Sequence, residues 1–153
     1  MTSIIMLSYN TLGYTKLAIE SIRKHTAPGT YEIIVVENAS KDGSREWLEQ
    51  QDDIRLLCNE ENVGFPKGCN QGLRIAKGDT LLLLNSDVIV TPYWLESLSK
   101  GLFSSKDVGA VSCLTNFCSN YQSIPAPYQQ MSELERFGAR INRRVPARYE
   151  RRL

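Results

Sequence analysis

The run LLLLNSDVIV, residues 81–90, decides the fold. Four consecutive leucines call for burial, yet they lead straight into Asn85, Ser86 and Asp87 before Val88, Ile89 and Val90 restore the apolar character. A carboxylate stranded in a core is costly, so the run is read as a buried strand that ends near Asn85 and delivers Asp87 to the lip of a sheet. Four other runs share this form: SIIMLS (3–8), YEIIVVE (31–37), IRLLC (54–58) and VGAVSC (108–113). Each is short, apolar and bounded by polar residues, the pattern of strands covered on both faces.

Helical segments are predicted between them, over 14–25 with Leu17 and Ile22 on its inner face, and over 44–50, 66–78 and 92–103. Pro66 and Pro92 stand near the starts of the last two, where a missing N–H costs nothing. Strand and helix thus alternate at βαβ spacing, which predicts an α/β fold built on a mostly parallel, Rossmann-like sheet flanked by helices. After Cys118 the alternation stops. Residues 1–118 are expected to form the α/β domain, and residues 119–153 a loop followed by one basic amphipathic helix, the incomplete start of a further region. In that helix Ser132 and Glu135 have capping-box spacing, and Leu134, Phe137 and Ile141 share a face.

Composition is that of an ordinary globular chain: 153 residues, 42% hydrophobic, 23% charged, net charge +1. The near-neutral total hides an asymmetry. Residues 136–153 hold seven of the 18 basic residues and one of the 17 acids, so this tail is net +6 and the rest net −5. No low-complexity repeat marks it as a nucleic-acid arm; a solvated or partner-facing helix is expected, with peripheral membrane contact left open. Cys58, Cys69, Cys113 and Cys118 form no CxxC pair, and His25 has no second imidazole beside it. No apolar stretch reaches the length of a membrane span and no leader precedes the first strand, so a reduced, cytoplasmic setting is expected.

Ligands of open parallel sheets bind beyond the carboxyl ends of the strands. Here the ends supply Ser8, Tyr9 and Asn10; Glu37 and Asn38, followed by Asp42; Asn62, Gly64 and Lys67; and Asn85, Ser86 and Asp87. Such groups suit a nucleotide carrying a diphosphate. Carboxylates accept bonds from ribose hydroxyls and base N–H groups, Lys67 offers a point charge to phosphate, and Asp87 can share a hard divalent ion with phosphate oxygens. Thr91, directly before Pro92, is the expected cap of the helix that follows, which leaves Asp87 free. Asp42 in the pair Asp42-Gly43 reads equally well as a turn former. No GxGxxG follows the first strand and no GxxxxGK[ST] occurs, so dinucleotide and P-loop readings fail.

Together SIIMLSYN, IIVVENASKDGS, NVGFPKGCNQGLRIAKGD and LLLLNSDVIVTPYWLESL resemble, in order and spacing over residues 2 to 113, the inverting nucleotide-sugar glycosyltransferases of family 2, with their GT-A type fold. The resemblance implies a nucleotide diphosphate sugar donor, of UDP or dTDP type, bound with Mg²⁺ or Mn²⁺. By matching positions it implies base and ribose contacts from Tyr9, Glu37 and Asp42, a donor pocket including Asn62 and Lys67, and the family's Asp-x-Asp metal motif at Asn85, Ser86 and Asp87. Asn85 stands where that motif has its first acid, which leaves Asp87 as the metal ligand. It also implies inverting displacement at the anomeric carbon with a carboxylate general base. Glu133, Glu135 and Glu150 match no such motif, so the base is expected outside this chain, and the chain is expected to be a shortened, donor-binding part with little transfer activity alone. The acceptor, whether saccharide, lipid-linked or protein, and the oligomeric state are not legible. A nucleotidyltransferase is the enzymatic alternative, but SYNTLGYT lacks its glycine-rich basic loop. A non-catalytic scaffold or receiver module is the other; the first strand lacks a receiver's acidic cluster, and a scaffold has no need for four polar strand ends.

Overall fold

The computed structural model describes residues 1–117 and 122–144. Cys118, Glu150, Arg148, Arg151 and Arg152 lie outside the described residues. Two compact units divide the chain, Met1–Val90 and a second beginning at Thr91.

The first unit is a four-stranded parallel sheet of β1 (Thr2–Ser8), β2 (Tyr31–Glu37), β3 (Ile54–Cys58) and β4 (Thr80–Asn85), ordered β3-β2-β1-β4. It also carries α1 (Leu12–His25), α2 (Ser44–Leu48) and α3 (Phe65–Ile75). The central pair forms the core: Ile4, Ile5, Met6, Ile33, Ile34, Val35 and Val36 are all buried. Both faces of that pair are covered, so side chains pointing either way can be apolar. On one face α3 sits very close. A Cβ on Gly68 would come within 2.4 Å of a Leu7 methyl, and one on Gly72 within 2.5 Å of Ile5 Cγ2. Glycines four apart fall on one helix face, so together they let the helix backbone rest on the sheet. On the other face the Thr15 hydroxyl of α1 meets the Ser8 hydroxyl at 3.3 Å.

At the amino ends of the strands Glu32 ties four segments together. It accepts hydrogen bonds from the Ser3 hydroxyl (2.5 Å), Arg55 (2.8 Å) and the Lys77 amide (2.7 Å). Burial pushes its pKa up, but those bonds and the Arg55 charge outweigh it and bring the carboxyl down to about 2. Gly78 passes so close that a Cβ would lie 2.6 Å from the Ser3 nitrogen, which fixes the chain's entry into β4.

Several expectations are corrected. β4 is half-covered, with Leu81 and Leu83 exposed, because it is an edge strand and α3 packs on β1 and β2. The inner face of α1 is Thr15, Ala18, Ile19, Ser21 and Ile22, and Leu17 points away, being about 140° from Ile22 at 3.6 residues per turn. Residues 108–113 are not a strand. They contain two β-branched residues and a glycine, too little side chain to pack a pleated surface, and the four-stranded sheet does not include them.

In the second unit α4 (Trp94–Leu102) and α5 (Met131–Arg144) pack together. Thr91 does not cap α4. That helix starts after Tyr93, held in the left-handed region at φ 66°, while the Thr91 hydroxyl accepts a bond from Asn142 of α5 at 3.1 Å. Nor does Ser132 cap α5, because it already lies inside the helix. Glu133 instead accepts the Gln129 and Gln130 amides.

Candidate functional site: the carboxyl edge of the sheet

Register places the strand ends side by side. Ser8 pairs with Glu37, Glu37 with Cys58, and Leu7 with Asn85. All the loops named from the sequence therefore leave the same edge.

Most of their polar groups are engaged with one another. Glu37 is fully buried, and its two carboxylate oxygens accept the amides of Ala39 (3.1 Å) and Ser40 (2.7 Å). Those bonds hold Ala39 at φ 64°, a conformation that costs a residue with a Cβ about 1–2 kcal/mol. Asn38, also buried, donates to the Asn62 side chain (2.6 Å), and its own oxygen accepts Val63 N–H and the Asn59 amide, both at 3.1 Å. Asn59 in turn exchanges two bonds with Gln71 of α3, at 2.9 and 2.8 Å. Asn62 closes a local turn by accepting Gly64 N–H at 2.9 Å, with Gly64 at φ 79°.

Across β1 a second chain of bonds runs. Ser86 meets the Thr11 hydroxyl at 3.2 Å. The next residue, Leu12, opens α1 and gives its N–H to Asp42 at 2.8 Å. Asp42 also accepts the Ser44 amide (3.1 Å) and hydroxyl (2.6 Å) at the start of α2, so one carboxylate serves two helix N-termini. Desolvation raises its pKa, but the Ser44 and Leu12 bonds prevail and lower it. Asn10, at φ 52°, receives the Lys41 amide and gives its own N–H to Ser40, both across to the β2 loop.

Four of the named groups stand apart from these networks. Tyr9, Lys67, Asn85 and Asp87 are exposed, and their side chains make no hydrogen bond or ion pair among the described residues. Asp87 thus offers a whole carboxylate at the end of β4. Among the described residues no group of three or more His, Cys, Asp or Glu could hold an ion by itself. One free carboxylate with no companions suits a Mg²⁺- or Mn²⁺-like ion that takes the rest of its shell from phosphate and water, and does not suit a closed protein cage.

The sequence did not point to Thr11, Ser40, Asn59 or Gln71. Asn59 was the discoverable one: it follows β3 directly, and a buried amide must find partners. Gln71 could be found only by knowing that α3 lies against the same strand end.

A family model described as glycosyl transferase family 2 matches residues 3–148. Among curated relatives, the uncharacterized glycosyltransferase MJ1057 of Methanocaldococcus jannaschii is 32% identical over 113 residues, 71% of this chain and 39% of that protein. Among solved structures, the mannosyltransferase PcManGT from Pyrobaculum calidifontis, in complex with GDP-Man and Mn²⁺, aligns with TM-score 0.67 and 28% identity, covering 74% of this chain and 35% of its own. S. aureus TarS in complex with UDP-GlcNAc aligns with TM-score 0.58 and 26% identity over 67% of this chain and 31% of that one. The chain spans about a third of the length of these proteins.

Proposed function

The chain belongs to glycosyl transferase family 2, and from that premise we propose that the carboxyl edge of its GT-A type sheet binds the donor of a sugar transfer. The donor in this reading is a nucleotide diphosphate sugar. Three exposed groups meet it in this reading: Tyr9 beside the base, Lys67 toward a phosphate oxygen, and Asp87, which would hold a Mg²⁺ or Mn²⁺. The observation that carries the reading is the contrast at this edge, a free Asp87 carboxylate beside loops in which Glu37, Asn38, Asp42, Asn59 and Asn62 are held by hydrogen bonds. Binding sites are favoured by such preorganisation, because little ordering remains to oppose ligand capture.

Asp42, which is exposed, keeps its role as a donor contact in this reading, since a carboxylate has about four lone-pair sites and Leu12 and Ser44 occupy only some of them. Glu37, expected from the sequence to meet the ribose, is fully buried under the Ala39 and Ser40 amides and braces the loop instead. Ser8, Asn10, Asn38, Asn62, Gly64, Asn85 and Ser86 shape the pocket. Bound at Asp87, the metal would neutralise charge on the leaving diphosphate. The acceptor hydroxyl attacks the anomeric carbon as the bond to the diphosphate oxygen breaks, inverting that centre, and its proton goes to a base we do not assign within residues 1–144. Glu133 is unsuited to that task because it is spent on the start of α5. A cytoplasmic setting is kept as part of the reading, supported by the free thiols Cys58 and Cys69.

Calorimetric titration with UDP, GDP, dTDP and CDP, each with and without Mn²⁺, tests this reading. One nucleotide should bind in a metal-dependent way, and Asp87→Ala should remove the metal effect. Failure of every nucleotide to bind, or binding indifferent to metal and to Asp87→Ala, would contradict it.

A further inference from the structure

α5 presents a second surface. Its outward side carries Arg136, Arg140 and Arg143, all exposed. At about 100° per residue these fall within about 60° of one another, with Leu134, Gly138 and Ile141 on the opposite side. That opposite side is pinned. Gly138 is buried so tightly that a Cβ would lie 2.2 Å from the Thr91 hydroxyl, and Asn142 donates to Thr91 (3.1 Å) and to the Pro92 carbonyl (2.8 Å). Helix rotation is therefore fixed, and the arginines face outward.

Among the described residues Arg136 and Arg140 make no hydrogen bond or ion pair; Arg136 feels the Glu133 carboxylate one turn away only through space, and Arg140 lies over the Phe137 ring at 5.6 Å. Arg143 stacks 4.5 Å over Tyr93 and bonds its hydroxyl. Ala139 lines the same shallow, open surface as the three arginines. Each guanidinium carries five donors. The three span about 10 Å along the axis, a spread that matches several neighbouring headgroups better than one small anion.

We infer that the Arg136/Arg140/Arg143 face of α5 docks on an anionic phospholipid surface. Charge complementarity favours it, since three exposed guanidiniums lie within about 60° on one open helix face.

The test is vesicle flotation of the full chain with phosphatidylcholine alone and with added phosphatidylglycerol, at low and high salt, alongside a labelled DNA duplex. Binding should require the anionic lipid and fall with salt. Each arginine removed should lower partitioning roughly five-fold. R136Q/R140Q, which spares the Tyr93 contact, should therefore lose roughly 25-fold, and R136K/R140K should stay within a few-fold of the wild type. Far-UV circular dichroism verifies that these exposed substitutions leave the fold intact. Equal binding to neutral vesicles, undiminished binding of R136Q/R140Q, or capture of the duplex without the vesicles would overturn the inference. Donor binding at the sheet edge is measured separately, so either reading can fail without the other.

Discussion

Three carboxylates at or near the sheet edge have the same chemistry and different fates. Glu37 is buried under two loop amides, Asp42 spans two helix starts, and Asp87 is free. Their substitutions should separate accordingly. Asp42→Ala should cost about 1–2 kcal/mol by removing the acceptor at two helix N-termini, read as a lowered urea midpoint. Asp87→Ala should leave the unfolding free energy within about 0.5 kcal/mol of the wild type while abolishing metal-dependent nucleotide binding. At the far edge, Glu32 makes stability depend on pH. Its carboxyl is depressed from 4.5 to about 2, so the stabilisation is present above the unfolded pKa and is lost as pH falls from about 4.5 toward 2. Glu32→Gln should cost roughly 2 kcal/mol at pH 6 and flatten the decline in urea midpoint between pH 6 and pH 3; an unchanged decline would show that other groups control it.

At the scale of elements, α3 shows how glycine can favour packing over propensity. In a solvent-facing helix, Gly72→Ala should stabilise by about 0.5–1 kcal/mol. Here the new methyl would meet Ile5 at 2.5 Å and Val36 at 3.3 Å, so a loss of about 1–3 kcal/mol is expected instead, measured by thermal unfolding, and a gain would refute the close approach. The sequence announced four strands and the helices between them, and added a fifth strand at 108–113 that the fold does not contain. Continuous runs such as IIMLS and EIIVV are strands covered on both sides, and the four strand ends named from the sequence do lie along one edge of the sheet. It did not announce which loop residues bond to each other, because Asn38, Asn59 and Asn62 read alike as polar loop residues until the parallel register sets β2 and β3 side by side. The TLLLLN run misled for the same reason: burial depends on what lies beside a strand, and β4 is an edge. Likewise, Thr91 has the look of a cap, but its hydroxyl is claimed by Asn142, fifty-one positions away in sequence.

At the scale of the molecule, the charge asymmetry of the sequence becomes two surfaces in two compact units, a carboxylate-bearing sheet edge in Met1–Val90 and an arginine face on α5. The proposed donor site is a sheet edge at which Tyr9, Lys67, Asn85 and Asp87 project with no side-chain hydrogen bond or ion pair among the described residues. The most direct measurement is a ¹⁵N-amide chemical-shift titration of the full chain with UDP or GDP and Mg²⁺. Perturbations should cluster at the four strand-end loops, residues 9–12, 37–44, 62–67 and 85–88, with β1 and β2 interiors unmoved. Perturbations confined to residues beyond 91, or spread through the core strands, would contradict the claim.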